Sequence, residues 1–170
     1  MKGNDRLKIN LGSSGFNEPG YINVDIRPSV KPEVLHDLNV FPYPFKDNSA
    51  DIIKMSHILE HLEKPFKVME ELHRVLKPSG QLHIQVPHFS RGFTHAEHEH
   101  GFDVSFPYYF MKEKFPEQFY GSEYELVRLR LNWLSHITIR YLPHLGFNTV
   151  TIFFLKGFHK VFTALANVSP

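Results

Sequence analysis

The chain opens on a short apolar alternation, Leu7, Ile9 and Leu11, that stops at Gly12 and resumes over Tyr21–Asp25. A period of two over four or five residues predicts half-buried strands. Similar runs recur at Val34–His36, Asp51–Met55 and Gln81–Val86. Between the last two the period changes: Phe66, Met69, Leu72, Val75 and Leu76 fall at helical spacing, and Pro65 suits a first helical turn. The spacing predicts a helix over 65–76, which Lys77-Pro78-Ser79-Gly80 is expected to stop before the next strand. Pro42, Pro44 and the cluster Lys46-Asp47-Asn48-Ser49 mark a loop. Residues 88–122, rich in His, Phe and Tyr, read as a long ordered loop with short helices. Glu125–Trp133 alternates Leu129, Leu131 and Trp133 with Arg128, Arg130 and Asn132, which predicts a strand. The tail from Thr149 is apolar, and its pattern fits strand and helix equally.

Strands interleaved with a crossover helix predict an α/β domain with a Rossmann-like, mostly parallel sheet. Two features make it a reduced version. Residues 12–20 alone join the first two strands, fewer than the dozen or so a helical crossover needs, so a loop replaces the first crossover helix. Residues 81–86 also alternate Gln81, His83 and Gln85 with Leu82, Ile84 and Val86, whereas a strand buried on both faces is apolar throughout. Both features predict one thinly covered sheet face. At 170 residues the expectation is one domain over 1–170, with a cofactor-binding half at 7–90 and a substrate-side loop and C-terminal elements over 91–170.

Composition removes several function classes. The formal net charge is +1, so no basic surface speaks for nucleic acid or an anionic membrane. There is no cysteine, hence no disulfide and no thiolate chemistry. The first residues lack the apolar core of a signal peptide, and Thr149–Phe158 is too short to span a bilayer. The expected location is the cytoplasm, and the expected partner is a small-molecule substrate. A homodimer through the thinly covered face or the apolar tail is the further expectation.

The glycine turn carries the chemistry. A strand running into a glycine turn brings backbone N–H groups close to a ligand, and an acidic residue at the tip of the next strand can hold ribose hydroxyls. Gly12 and Asp25 stand in those places. Further along, the segments NLGSSG, NVD, HDL, NSADII, HILEHL and HRVLKPSGQLHIQVP follow in order over residues 7–90. In that order and spacing the chain resembles small class I S-adenosylmethionine-dependent methyltransferases of the type 11 kind.

The resemblance implies S-adenosylmethionine as cofactor, with Asn10, Gly12, Ser13 and Ser14 forming the turn under its methionyl part. It implies that Asp25 holds the ribose, that Asp37 and Leu38 meet the adenine, and that Ser56 and His57 face the sulfonium. Glu60 and His61 would close that side of the pocket. The chain departs from the family's acidic-x-Gly-x-Gly-x-Gly turn, with Asn10 at the acidic position and Ser14 at the second glycine position; Gly15 is a shifted candidate for the left-handed role. Asp25 follows Gly12 by 13 positions, against about 20 ordinarily.

Methyl transfer is the implied reaction; with no nucleic-acid or protein-binding signature in the chain, a hydroxyl or amine of a small molecule or sugar is the expected acceptor, and a base assists the transfer. His57, His61, His88 and His95, at or after the ends of the fourth and fifth strands, are the candidates. Two other classes compete. One is an inactive methyltransferase-like binding or assembly module. The other is a metal-dependent hydrolase, since His57-Ile58-Leu59-Glu60-His61 fits H-x-x-E-H and His95, His98 and His100 cluster nearby. The H-x-x-E-H segment lies at a strand-to-helix junction just before Pro65, which opposes a long zinc-binding helix. The histidine cluster reads as a polar lid over the pocket, so no metal ligand is expected.

Overall fold

A computed structural model describes residues 6–92, 95–132, 149–156 and 167–168. Eight strands form one sheet: β1 (Lys8–Leu11), β2 (Ile22–Asp25), β3 (Val34–Leu35), β4 (Ala50–Ser56), β5 (Leu76–Pro87), β6 (Tyr124–Asn132), β7 (Thr149–Lys156) and β8 (Asn167–Val168). Their spatial order is β3-β2-β1-β4-β5-β7-β6-β8. Strands β1 to β5 pair in parallel, and β7 runs antiparallel between β5 and β6. The expected mostly parallel Rossmann-like sheet is therefore present. The apolar tail is a strand over Thr149–Lys156, decided by two open ladders it fills at once. Trp133, at the end of the expected sixth strand, lies outside the described residues, as does 157–166 of the tail.

Helix α1 (Pro65–Val75) crosses from β4 to β5 and buries Val68, Met69, Leu72 and Val75. These meet the alternate strand residues Ile9, Leu11, Ile53, Met55, Leu82, Ile84, Ile152 and Phe154, all fully buried. Phe66 reaches out of the helix to Phe106, Tyr109, Phe110 and Tyr120, so the long loop 95–123 closes over the same face. That loop is ordered by the short 3-10 turns Phe106–Phe110 and Pro116–Gln118. A four-residue helix, α2 (Phe89–Gly92), precedes it.

The junction after α1 differs from the expected stop. Strand pairing begins at Leu76 with no intervening turn, and the strand bulges where Ala50 pairs with Leu76 but Ile52 with Gln81. Ser79 takes φ 63° in this bulge, and a Cβ on Gly80 would lie 2.8 Å from the Lys77 carbonyl. A Pro-Ser-Gly sequence thus serves a bulge as well as a turn.

The other sheet face carries Lys8, Asn10, Lys54, Gln81, His83 and Gln85. Nine residues separate Gly12 from Ile22, and no helix lies among them. Instead the segment folds back, with Glu18 pairing with Lys54 at 2.5 Å and Tyr21 under the ammonium groups of Lys8 and Lys54. Among the described residues no helix covers this face, as the short first connection predicts.

Candidate active site

The parallel strands end along one edge, and the expected site residues gather there. Gly12 follows β1, Asp25 closes β2, Asp37 follows β3, Ser56 closes β4 and His88 follows β5. Ligands of open α/β sheets bind at this edge because the chain turns away there and leaves a crevice.

The glycine turn is tighter than its sequence suggests. Gly12 takes φ 68°, and a Cβ there would stand 2.6 Å from Cγ1 of Ile58, so only glycine fits. The amides of Gly12 and Ser13 donate to the Val24 carbonyl at 2.9 and 3.1 Å, and Ser14 N–H donates to Asp25 Oδ2 at 2.8 Å. Three of the turn's N–H groups are therefore spent within the protein. Ser14 itself adopts the left-handed conformation (φ 49°) alongside Gly15 (φ 84°), which a side-chain-bearing residue takes up only at the cost of some strain.

Asn10 has a structural reason. Its Nδ2 donates to Asn23 Oδ1 at 2.9 Å and to the Phe16 carbonyl at 3.2 Å, bonds that a carboxylate in this position would lack the donors to make. Asn23 Oδ1 also accepts from Glu18 N–H at 2.9 Å, so this buried pair folds the short connection. The apolar pattern alone does not single out Asn23. Its one signal is a second amide at the cross-strand position of Asn10.

Asp25 is buried, and its carboxylate is engaged three times: by Ser14 N–H, by Arg27 N–H at 2.9 Å and by Arg27 Nε at 3.2 Å. Burial pushes its pKa up, but the hydrogen bonds and charge of Arg27 and Ser14 outweigh that and hold it below the ordinary 3.8. Arg27 Nη2 reaches on to Ser14 Oγ at 2.9 Å, closing a latch across the position expected to hold ribose. Arg27 is not marked by any motif. A carboxylate offers about four lone-pair positions, and the Arg27 side chain is 53% exposed, so it can leave Asp25 without unfolding anything. Ser13 Oγ, buried in the turn, has no hydrogen-bond partner among the described residues. An ionised acid at the strand tip and an orphaned hydroxyl in the adjoining turn fit a nucleoside with a polar tail.

Other expected contacts are less direct. Asp37 Oδ1 accepts from Asn39 N–H at 2.9 Å and shapes its own turn. Leu38 puts its side chain in the core, and its carbonyl accepts from the Tyr43 hydroxyl at 2.9 Å. Ser56 is exposed, with Oγ 3.4 Å from Gln85 Oε1. His57 takes φ 53°, uncommon for a side-chain-bearing residue, and is pinned by its N–H to the Gln85 carbonyl at 2.8 Å.

Histidines then collect around Glu60. The segment His57–His61 covers a strand end and the 3-10 turn Leu59–His61, and so lacks the helix on which an H-x-x-E-H zinc pair is built. Glu60 is fully buried and neither carboxylate oxygen has a hydrogen-bond partner among the described residues. His57 Nδ1 stands 3.4 Å from Glu60 Oε1 and His61 Nε2 4.0 Å from it. His95 stacks on His98 with ring centres 4.6 Å apart, and His98 meets His61 edge-on at 4.8 Å. His88 stands apart: it is buried, its Nδ1 lies 2.9 Å from Ser90 Oγ, and burial lowers its pKa below 6.5.

Residues 21–84 match the family model described as a methyltransferase domain. The chain has the class I S-adenosylmethionine-dependent methyltransferase fold. An S-adenosylmethionine-dependent methyltransferase of Archaeoglobus fulgidus superposes with a TM-score of 0.59 over 89% of this chain and 86% of its own, at 18% identity. One from Mesorhizobium loti gives 0.60 over 88% and 90%, at 10% identity. A Haloferax volcanii protein in complex with the Trm112 methyltransferase activator gives 0.62 over 93% and 85%, at 12% identity. An uncharacterized methyltransferase of Schizosaccharomyces pombe is 40% identical over 42 residues, and the chain spans 15% of that protein's length. The expected family resemblance and its cofactor, S-adenosylmethionine, agree with these matches. No helix among the described residues is long and apolar enough to cross a membrane.

Proposed function

We propose that this chain binds S-adenosylmethionine at the C-terminal edge of β1, β2 and β4 and transfers its methyl group to a hydroxyl or amine of a small molecule or sugar. The observation that carries the reading is the ionised Asp25 beside the Ser13 hydroxyl, which has no partner among the described residues, at neighbouring strand ends. The cofactor, when bound, supplies a methyl group on a good leaving group. The protein is left with binding, alignment, exclusion of water and a place for one proton. Gly12 lets the turn pack tightly on Ile58 beneath the methionyl part, Ser13 Oγ gains a partner, and Asp25 accepts from the ribose hydroxyls once Arg27 withdraws. Asp37 and the Leu38 backbone border the adenine side, and Asn10 and Ser14 hold the turn in shape.

Of the four histidines, His57 suits the role of base best. It follows β4, between Ser56 and the Ile58–Gly12 contact, and its side chain is half-exposed. His61 Nδ1 is committed to the Glu97 carbonyl at 2.9 Å, His88 Nδ1 to Ser90, and His95 stacks on His98. A small-molecule acceptor suits a net charge of +1, and a second copy of the chain suits the open sheet face.

Calorimetric titration with S-adenosylhomocysteine tests the cofactor step. Binding is expected, with Asp25→Ala weakening it by about 1–3 kcal/mol through unpaired ligand hydroxyls. Absence of heat from folded wild-type protein at high ligand concentration refutes it. The second reading, an inactive module that assembles with a partner, draws on the Arg27 latch, which already fills the Asp25 carboxylate. That reading predicts no cofactor binding.

A further inference from the structure

One group of side chains borders this site, with Glu60 3.4 Å from His57 Nδ1, and the proposed transfer assigns it no step. We propose that Glu60, His61 and His98 form a binding site for a first-row divalent transition-metal ion. One ligand atom from each lies within 4.8 Å of the others. Metal bonds of about 2.0–2.2 Å place ligand atoms about 3–3.5 Å apart, so small side-chain rotations close the set. The second observation is Glu60 itself. Both its oxygens are buried without a hydrogen-bond partner among the described residues, and the imidazoles of His57 and His61 approach Oε1 only to 3.4 and 4.0 Å. A carboxylate withdrawn from water needs hydrogen bonds, an opposite charge or a metal.

The surroundings are built for the same purpose. The Glu97 carbonyl lies 2.9 Å from His61 Nδ1 and can only accept, so the proton sits on Nδ1 and the lone pair on Nε2, the nitrogen facing Glu60. A carbonyl that fixes the tautomer of a ligating histidine in this way is a recurrent feature of metal sites. The Glu60 carbonyl in turn accepts from Glu99 N–H at 2.9 Å and His100 N–H at 3.3 Å, which clasps the loop bearing His98 onto the turn bearing Glu60 and His61. Two imidazoles and one carboxylate suit zinc, iron, cobalt or manganese rather than calcium or magnesium, which favour all-oxygen sets. Three protein ligands leave coordination positions open. Ile58, two residues before Glu60, packs on Gly12, so the ion would stand next to the cofactor edge. Resting on the proposed methyl transfer, an open position would take an oxygen of the acceptor.

The test is direct binding to untagged, EDTA-stripped full-length protein, by calorimetric titration with zinc chloride and, separately, manganese chloride, without S-adenosylhomocysteine. One equivalent of at least one ion is expected to bind. Glu60→Gln and His61→Ala should each weaken it about a hundredfold or more, while His36→Ala, whose imidazole bonds the Val40 carbonyl outside the group, should bind as wild type. Glu60→Gln keeps the size of the side chain and should leave the Tm of the metal-free protein at or above that of wild type, which separates lost binding from lost folding. Wild-type protein that takes up neither ion, or unchanged uptake by Glu60→Gln and His61→Ala, overturns the site. Because no nucleoside is present, that failure leaves the methyl-transfer reading intact, and a failed S-adenosylhomocysteine titration leaves this one intact.

Discussion

At the scale of single residues, the candidate site is defined by what each side chain already does. Asp25 serves two masters, the Ser14 amide and Arg27, and a nucleoside must compete with the second. The Arg27 side chain is half-exposed, so its ion pair contributes little to stability, about 0–1 kcal/mol. Arg27→Ala should therefore leave the denaturant midpoint nearly unchanged while tightening S-adenosylhomocysteine binding by up to about fivefold. Weaker binding by this variant would make Arg27 a ligand contact instead of a latch. Gly12 and Asp25 were legible in sequence because their chemistry is local: a sharp turn and a strand-tip acid. Arg27, Asn23 and the orphaned Ser13 hydroxyl were not. Asn23 and Arg27 act through bonds to residues 13 positions away, and the Ser13 hydroxyl is set apart by lacking a partner among the described residues, none of which a spacing rule specifies.

At the scale of elements, α1 is fixed by more than its apolar stripe. Glu71, buried on that helix, accepts from Tyr43 N–H at 2.6 Å and from Arg74 Nε at 3.0 Å. Arg74 goes on to the carbonyls of Phe45 and Tyr43 at 2.9 and 3.1 Å. This network ties the helix to the 41–48 loop that precedes β4. Burial raises the Glu71 pKa, but Arg74 and the Tyr43 amide bring it below 4.5 overall, so the group is ionised and paired. Glu71→Ala should cost about 2–4 kcal/mol in urea unfolding, because it strands Arg74 and a buried amide. A loss near zero would mean that the loop is held by packing alone. The helix, its start at Pro65 and the first five strands followed from periodicity. The bulge at Ser79-Gly80 did not, since the same residues also end helices. The strand identity of Thr149–Lys156 needed the vacant ladders of β5 and β6.

At the scale of the molecule, a sheet face that no helix among the described residues covers carries titratable groups where a fully covered face would have apolar ones. His83 lies half-buried on the open face near Lys54, and His73, in the last turn of α1, lies near Lys156. Burial first, and the nearby lysines second, lower both pKa values below 6.5, and burial does the same for His88. The unfolded chain then takes up protons near pH 6.5 that the folded chain resists. Stability is present in full above that value and is lost as pH falls toward the folded pKa values. Tm should therefore drop between about pH 7.5 and about 5.5, and His83→Gln should flatten the slope. A level profile across that range would refute the assignment. Below about pH 4.5 the depressed carboxyls of Asp25, Glu71 and Asp103 add a second loss of the same sign. By itself the sequence determined the α/β class, the strand-helix order, the missing first helix and the thin face, because each follows from local period and connection length. Only the tertiary structure decided that the turn's amides are already used, that Arg27 closes on Asp25, and that Glu60, His61 and His98 converge. Those facts depend on which strand ends become neighbours, and chain separation hides that from any local pattern.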